Sequence, residues 1–125
     1  MRMLLIDVNE NEIKPLEVNC LEDYYEHIGC RCIDIVRRKI GDRYFEIIID
    51  DEGLFVDEPI VSAIDENNNV MLVGNLLIAS GEVDIDGNLT SIDDSDIDYI
   101  YNFIGLLITV RTNGKSANIA LTMSY

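Results

Sequence analysis

Two β-rich runs separated by only two residues place the strongest constraint on the fold of this chain. The runs are CIDIVRRKI and RYFEIIID, and Gly41-Asp42 joins them. A two-residue connection that contains glycine is typical of a β-hairpin, because tight hairpin turns need a residue that tolerates positive φ. The C-terminal segment LLITVRTNGKSANIALTMSY carries a second such signal, since two β-like runs flank Asn113-Gly114. We therefore expect two hairpins, one of them at the C-terminus.

Further strands are predicted on both sides of the central hairpin. Residues 2–8 alternate around a short apolar core and indicate a first strand. KPLEVNC is expected to be extended, because Pro15 disfavours helical backbone in the residue before it. The run VMLVGNLLIAS predicts one central strand, in which Gly74 marks a bulge or a close backbone approach. DDEGLF predicts a turn, and PIVSAID, which begins at Pro59, is interpreted as a helical turn.

Two short segments show the pattern of helices. Asn19 and Glu22 have capping-box spacing at the start of CLEDYYEHIG, so a helix is expected at about residues 20–28. In LTSIDDSDIDYIYNFIG a cap at Ser91 precedes apolar residues at helical spacing, so a second helix is expected at about residues 91–104. The second helix has one apolar face and one acidic face.

Length and composition favour a single globular domain. The chain has 125 residues, of which 48% are hydrophobic, and these are spread along the whole length, which excludes an intrinsically disordered chain. We predict an α+β fold that forms one domain over residues 1–125. Its expected parts are an antiparallel or mixed β-sheet, the two short helices and a C-terminal β-hairpin.

The charge of the chain is strongly negative and unevenly distributed. The sequence has 24 acidic and 9 basic residues, for a net charge of -15. Between Arg43 and Arg111 there is no lysine or arginine, whereas fifteen aspartates and glutamates lie in that interval. Such a surface repels phosphate backbones, since nucleic-acid affinity comes largely from lysine and arginine. We therefore expect no direct binding of nucleic acid.

The remaining compositional features indicate a protein of a reducing compartment. The chain has no apolar stretch of about 18 residues, and acidic residues follow the N-terminal strand too soon for a signal peptide. An odd number of cysteines, Cys20, Cys30 and Cys32, argues against a disulfide framework. We expect a cytoplasmic protein with reduced thiols and no membrane association. The basic cluster Arg37-Arg38-Lys39 is interpreted as the charge protection of an edge strand.

The segment EVDIDGNLTSID resembles a calcium-binding loop in its spacing. Glu82, Asp84, Asp86 and Asp93 occupy positions 1, 3, 5 and 12 of such a loop. An EF-hand also needs an incoming helix and a bidentate glutamate at position 12, and both are missing here. The sequence therefore favours a polar strand-to-helix loop with a turn at Asp86 and Gly87, and weak calcium binding is the alternative.

The cysteines and the single histidine form a second candidate site. Cys20, His27, Cys30 and Cys32 are residue types that bind zinc, but Cys20 and His27 lie two helical turns apart, about 10 Å of rise, which does not suit one tetrahedral metal. Cysteines that serve as small buried hydrophobic residues are the favoured interpretation. No cofactor is expected. An enzyme or ligand-binding protein that uses carboxylates or Cys30 and Cys32 remains an alternative.

Several turns and caps of the chain resemble those of a known family. The strand ending in DDEGL, the strand that contains Val73-Gly74-Asn75, and the acidic helix initiated at Leu89-Thr90 follow this pattern. Over about residues 1–100 the chain resembles a small uncharacterised family of domains from bacteria, phages and mobile elements. The resemblance implies a small cytoplasmic accessory protein, carried by a phage or an integrated element, and no specific activity.

These observations lead to three hypotheses of different classes. The first is a non-enzymatic interaction protein whose acidic surface binds a basic surface of a protein partner, in its strongest form as a mimic of nucleic acid. The second is the metal- or ligand-binding protein or enzyme described above. The third is a self-assembling module whose free strand edges form a dimer. The residues assigned to the partner-binding surface of the first hypothesis are Asp50, Asp51, Glu52, Asp93, Asp94, Asp96 and Asp98.

Overall fold

The computed structural model describes residues 1–52, 59–111 and 114–125, with only the backbone of Arg111. Nine strands and two helices lie within these ranges. The strands are β1 (Arg2–Asp7), β2 (Glu12–Glu17), β3 (Ile33–Ile40), β4 (Arg43–Asp50), β5 (Val61–Ile64), β6 (Val70–Val73), β7 (Leu76–Ala79), β8 (Ile104–Arg111) and β9 (Gly114–Thr122); the helices are α1 (Leu21–Ile28) and α2 (Asp94–Tyr101).

The strands form two sheets. The first has the order β2-β1-β7-β4-β3, and its neighbouring strands are antiparallel throughout. The second has the order β6-β5-β9-β8, in which only β5 and β9 are parallel. The predicted α+β class is therefore confirmed, although the strands divide into two sheets. The C-terminal hairpin is also confirmed as β8 and β9, whereas Asn113 in its turn lies outside the described residues.

The central strands of the first sheet are buried on both faces. One face contributes side chains such as Ile6 and Ile78 to a core that also contains residues of the second sheet and of α2. The other face, which includes Leu5 and Leu77, packs with Ile28 of α1. This double burial explains why β1 and β7 are continuous apolar runs, since a strand that is covered on both faces needs no polar alternation.

The central hairpin follows the sequence prediction closely. β3 and β4 pair antiparallel along their whole length, with Ile40 opposite Arg43. Gly41 has a φ of 64°, a conformation that glycine adopts without steric cost. The Tyr99 hydroxyl of α2 accepts a hydrogen bond from the Asp42 backbone amide at 2.8 Å and donates one to the Asp42 carboxylate at 2.5 Å. The turn is thereby fixed to the second helix.

Two predictions, one of a strand and one of a helical turn, are wrong in the middle of the chain. VMLVGNLLIAS forms two strands, β6 and β7, which belong to different sheets. The chain changes sheet at Gly74, whose φ of 79° interrupts extended backbone. PIVSAID forms β5 rather than a helical turn. Its neighbours β6 and β9 supply the backbone partners, which local sequence does not reveal.

The helix boundaries also differ from the predicted ones. Helix α1 has Cys20 as its N-cap, with no side-chain cap hydrogen bond; the backbone amide of Asn19 instead donates to Asp23 at 2.8 Å. Helix α2 is shorter than residues 91–104, because Asp93 is its N-cap and β8 begins only three residues after it ends. The Ser91 hydroxyl accepts a hydrogen bond from the Arg2 amide at 3.0 Å and does not cap the helix.

Half of the predicted DDEGLF turn, residues 53–55, lies outside the described ranges. In the part of the chain that the structure describes, neither helix has the length and apolar character that crossing a membrane requires.

Candidate functional site

The carboxylates that the sequence assigned to partner binding occupy two separate places. Asp50, Asp51 and Glu52 lie where β4 ends and continues into a turn. Asp96 lies at the opposite end of β4, since its carboxylate is 3.5 Å from the guanidinium of Arg43. Eight residues of extended strand separate these ends by about 23 Å between Cα atoms. The two groups therefore do not form one continuous surface.

The larger of the two groups, together with Glu82 of the calcium-like loop, surrounds the N-terminus of α2. We call it the α2 acidic surface. Its members are Glu82, Asp93, Asp94, Asp96 and Asp98, all of which are exposed except Asp96, which is half-buried.

Helix α2 holds these carboxylates on one side because its other side is anchored in the core. Ile97 and Ile100 are buried against the first core cluster. At the helix start, the Asp93 carboxylate accepts a hydrogen bond from the Asp96 amide at 2.7 Å. This cap satisfies an amide that has no partner within the helix, and acidic residues in the first turn are favoured by the helix dipole. The acidic surface is consequently a fixed feature of the fold.

A shallow cleft of about 460 Å³ lies beside the helix start. Glu82 reaches this cleft because the loop of residues 82–90 returns on itself: the Ser80 amide donates to the Thr90 carbonyl at 3.2 Å, and the Thr90 hydroxyl donates to the Glu82 carbonyl. The cleft therefore combines carboxylates with two arginines. Its lining includes Arg37, Arg43, Tyr44, Ser80, Gly81, Glu82, Thr90, Ser91, Asp93 and Asp96.

Only part of the negative charge of this surface is neutralised by described basic side chains. Asp94 lies 2.6 Å from Arg2, and Asp96 lies 3.5 Å from Arg43. Burial, followed by the neighbouring Asp93 carboxylate, raises the pKa of Asp96 above the ordinary aspartate value. No ion pair of Glu82, Asp93 or Asp98 occurs among the residues that the structure describes. The surface thus keeps three exposed carboxylates, those of Glu82, Asp93 and Asp98, without an ion pair among the described residues.

The calcium-like loop uses its carboxylates within the loop itself. Asp84 accepts hydrogen bonds from the amides of Asp86 and Asn88, at 2.9 and 2.8 Å, and the Asn88 amide lowers the pKa of Asp84. Asp93 caps α2. Within residues 1–52, 59–111 and 114–125, no group of three or more histidine, cysteine, aspartate or glutamate side chains has a metal-binding arrangement. Glu82, Asp84, Asp86 and Asp93 are thus not brought together as one ligand set.

Cys30 does not show the features of an activated thiol. Cys20 and Cys32 are exposed, so their interpretation as buried cysteines is wrong, and Cys30 is half-buried beside α1. Burial, together with the nearby Asp50 carboxylate, raises the pKa of Cys30 above the ordinary thiol value. A catalytic thiolate requires the opposite shift, so Cys30 is mostly protonated at neutral pH.

Comparison with protein families assigns residues 1–105 to a model described as a domain of unknown function, DUF3846. The chain belongs to this family. The match confirms the resemblance inferred from the turns and caps. No curated protein and no solved structure matches the chain. The family match ends at the start of β8, so most of the C-terminal hairpin of this DUF3846 protein lies beyond it.

The structure gives a physical role to the Val73-Gly74-Asn75 segment of the DUF3846 domain. Gly74 redirects the chain between the two sheets, and the buried side chain of Asn75 joins three elements. Its carbonyl oxygen accepts from the Val8 amide at 2.9 Å, and its amide nitrogen donates to the His27 carbonyl at 3.2 Å. The ends of β1, α1 and β6 therefore meet at one side chain.

A tyrosine at the margin of the α2 acidic surface was not predicted from the sequence. Tyr99 exchanges two hydrogen bonds with Asp42, and the Arg43 guanidinium lies 4.0 Å from the centre of its ring. The Tyr99 hydroxyl lowers the pKa of Asp42, and the same bond raises the pKa of Tyr99. The apolar and aromatic spacing of α2 was the only sequence signal at Tyr99. It could not identify Asp42 as the partner of Tyr99, because the two residues are 57 positions apart.

Replacing Tyr99 by phenylalanine is expected to raise the pKa of Asp42 toward its ordinary value of 3.8, because the hydrogen bond that favours the ionised form is lost. A carboxyl group with a lowered folded pKa stabilises the protein above its unfolded pKa, and this contribution disappears as the pH falls through the folded value. The stability difference between wild type and Tyr99→Phe should therefore shrink below pH 3.8.

NMR titration of the Asp42 carboxyl carbon and thermal unfolding across acidic pH measure these effects. Tyr101→Phe is the control, since Tyr101 is an exposed tyrosine of the same helix. An unchanged pKa of Asp42 in Tyr99→Phe would contradict the hydrogen bond.

Proposed function

We propose that this DUF3846 protein is a non-enzymatic interaction module whose α2 acidic surface binds a basic surface of a protein partner. The observation that carries the proposal is the fixed presentation of Glu82, Asp93, Asp94 and Asp98 as exposed carboxylates around the start of a core-anchored helix. Arg2 pairs with Asp94, and Arg43 pairs with the half-buried Asp96. A partner that brings lysine or arginine therefore meets three carboxylates, those of Glu82, Asp93 and Asp98, that have no ion pair among the described residues.

Rigidity supports this function because an ordered surface loses little conformational entropy on binding. Ile97 and Ile100 fix one side of α2, and the Asp93 cap fixes its start. The Ile92 amide also donates to the Arg2 carbonyl at 3.0 Å, which ties the segment before the helix to β1. The carboxylates consequently keep their relative positions in the free protein.

The overall charge supports the same function through the rate of association. A net charge of -15 attracts a basic partner over distances of about one Debye length, roughly 8–10 Å at physiological salt. Association should therefore be fast at low salt and should weaken as salt is added. The carboxylates at the end of β4, Asp50, Asp51 and Glu52, contribute to this general field and lie outside the proposed contact.

In its strongest form, the proposal makes the protein a mimic of nucleic acid. Asp94 and Asp98 lie four residues apart and thus one helical turn apart on α2, a rise of about 6 Å, and carboxylates in such a row can replace a series of phosphates. The partner would then be a protein that binds nucleic acid through lysine and arginine side chains. This form also fits the phage or mobile-element setting that the family resemblance implies.

Affinity capture tests the mimic directly. The tagged protein is incubated with bacterial lysate at low salt, with and without competing duplex DNA, and retained proteins are identified by mass spectrometry. The proposal predicts that a nucleic-acid-binding protein is retained and that DNA displaces it. Retention that DNA does not affect would reject the mimic while leaving a different basic partner, and the absence of any retained basic protein would contradict the proposed function.

A further inference from the structure

Strand β8 is a long sheet edge without the usual protection against strand pairing. The edge strands of the two sheets are β2, β3, β6 and β8. β2 carries Lys14 and Pro15, β3 carries three consecutive basic residues, and β6 has only four residues. Charge, proline and short length are the devices that prevent edge-to-edge association. β8 has eight residues with no charge before Arg111 and no proline, and among the described residues its only strand neighbour is β9.

The same strand exposes an unbroken row of apolar side chains. Leu106, Ile108 and Val110 are 73%, 65% and 72% exposed, and they share one face because side chains alternate along a strand. Ile104, on the same face, packs against the core. The β8–β9 hairpin therefore extends beyond the core, and the apolar side chains on this face of β8 are exposed there.

The charge distribution leaves this hairpin as the place where a second copy can approach. No aspartate or glutamate follows Asp98 in the sequence, and residues 99–125 carry Arg111 and Lys115 as their only charged side chains. All 24 acidic residues lie in the remainder of the chain. Contact between two copies through their acidic surfaces brings carboxylates against carboxylates, whereas contact through β8 does not.

We propose that β8 pairs antiparallel with β8 of a second copy, about a two-fold axis at Ile108. This pairing joins the two four-stranded sheets into one continuous sheet across the dimer. The apolar row is self-complementary in this register, because Ile108 meets its own symmetry mate and Leu106 meets Val110 of the other copy. Cross-strand pairs of branched apolar side chains are favourable. The α2 acidic surface stays outside the contact, so this dimer does not depend on the proposed partner binding.

Sedimentation equilibrium of the full chain over a concentration series tests the proposal. Wild type is expected to dimerise at micromolar concentrations. Ile108→Lys places two lysines on the axis and should raise the dimer Kd about 100-fold or more, because like charges in direct contact are strongly unfavourable. Ile108→Thr keeps a β-branched side chain and should raise the Kd less, which provides a second variant if the lysine disturbs folding. Val70→Lys is the matched control, since Val70 is 58% exposed on the edge strand β6.

Each result of these measurements either supports or overturns the β8 contact. Loss of the dimer in Ile108→Lys, with retention in Val70→Lys and unchanged circular dichroism in both, supports the β8 contact. A wild-type chain that remains monomeric at these concentrations overturns it, and so does a dimer that survives both substitutions of Ile108. Added salt should strengthen the dimer, because it screens the repulsion between the acidic remainders of the two copies. That direction is opposite to the one expected for binding of a basic partner.

Discussion

Replacing Gly81 by alanine is expected to lower the free energy of unfolding by about 3 kcal/mol or more. A Cβ atom at this position would lie 1.8 Å from the carbonyl oxygen and 2.7 Å from the carbonyl carbon of Tyr44. These are backbone atoms at the start of β4, so no side chain can rotate away, and the backbone at Gly81, just after β7, must move away from β4. The Gly81 carbonyl also accepts a hydrogen bond from Arg37 at 3.0 Å, which the same displacement would weaken.

Gly105→Ala provides the matched control for this substitution. Gly105 lies in β8, and a Cβ there would meet no atom within 4 Å. Its replacement should leave stability nearly unchanged or raise it slightly, because alanine has less backbone freedom to lose on folding. Chemical denaturation of the two variants makes the comparison, and an equal effect of both would contradict the close approach at Gly81. Gly81 also precedes Glu82, so its replacement should alter the cleft beside α2.

Replacing Asn75 by alanine is expected to destabilise the protein by about 3 kcal/mol. The side chain is buried, and its removal leaves the Val8 amide without its acceptor and the His27 carbonyl without its donor. Leaving a buried polar group without its hydrogen-bond partner costs about 1–3 kcal/mol. Asn75→Ala does this to two groups, the Val8 amide and the His27 carbonyl. Asn75→Leu should not restore stability, since it fills the volume without replacing either hydrogen bond.

An exposed asparagine serves as the control for Asn75. The side chain of Asn67 is exposed and has no hydrogen bond to any residue that the structure describes, whereas its backbone amide donates to Asp65 at 2.9 Å. Asn67→Ala should therefore change the free energy of unfolding by less than about 0.5 kcal/mol. If Asn75→Ala were as mild as Asn67→Ala, Asn75 would not be the junction between β1, α1 and β6.

The parts of the fold that could be predicted are those whose signals are local. The central hairpin depends on Gly41 and two adjacent β-rich runs, and it forms as expected. The division of VMLVGNLLIAS depends on which sheet each half joins, and that choice is set by β1 and β4 for β7 and by β5 for β6. Such long-range pairing leaves no periodic signal in the strand itself. The glycine at position 74 was the one local sign, and it was interpreted as a bulge or a close backbone approach.

The features of the candidate site that could be predicted are likewise those with local sequence signals. Helix capping explains why Asp93, Asp94 and Asp96 could be recognised as the start of an acidic helix, although Ser91 was wrongly assigned as its cap. The separation of Asp50 from this group could not be predicted, because it follows from the direction of β4 across the sheet. The Tyr99–Asp42 contact was equally inaccessible, since it joins a turn to a helix 57 residues later.

The most direct measurement is the affinity of the captured partner for two variants that remove the same charge from different places. One variant combines Glu82→Gln, Asp94→Asn and Asp98→Asn within the α2 acidic surface; the other combines Asp50→Asn, Asp51→Asn and Glu52→Gln at the far end of β4. Calorimetric titration at several salt concentrations gives the Kd and its salt dependence. We predict that the first variant loses about tenfold or more in affinity with a shallower salt dependence, whereas the second loses about twofold. Equal losses would show that only net charge matters, and an undiminished affinity of the first variant would contradict binding through the α2 acidic surface.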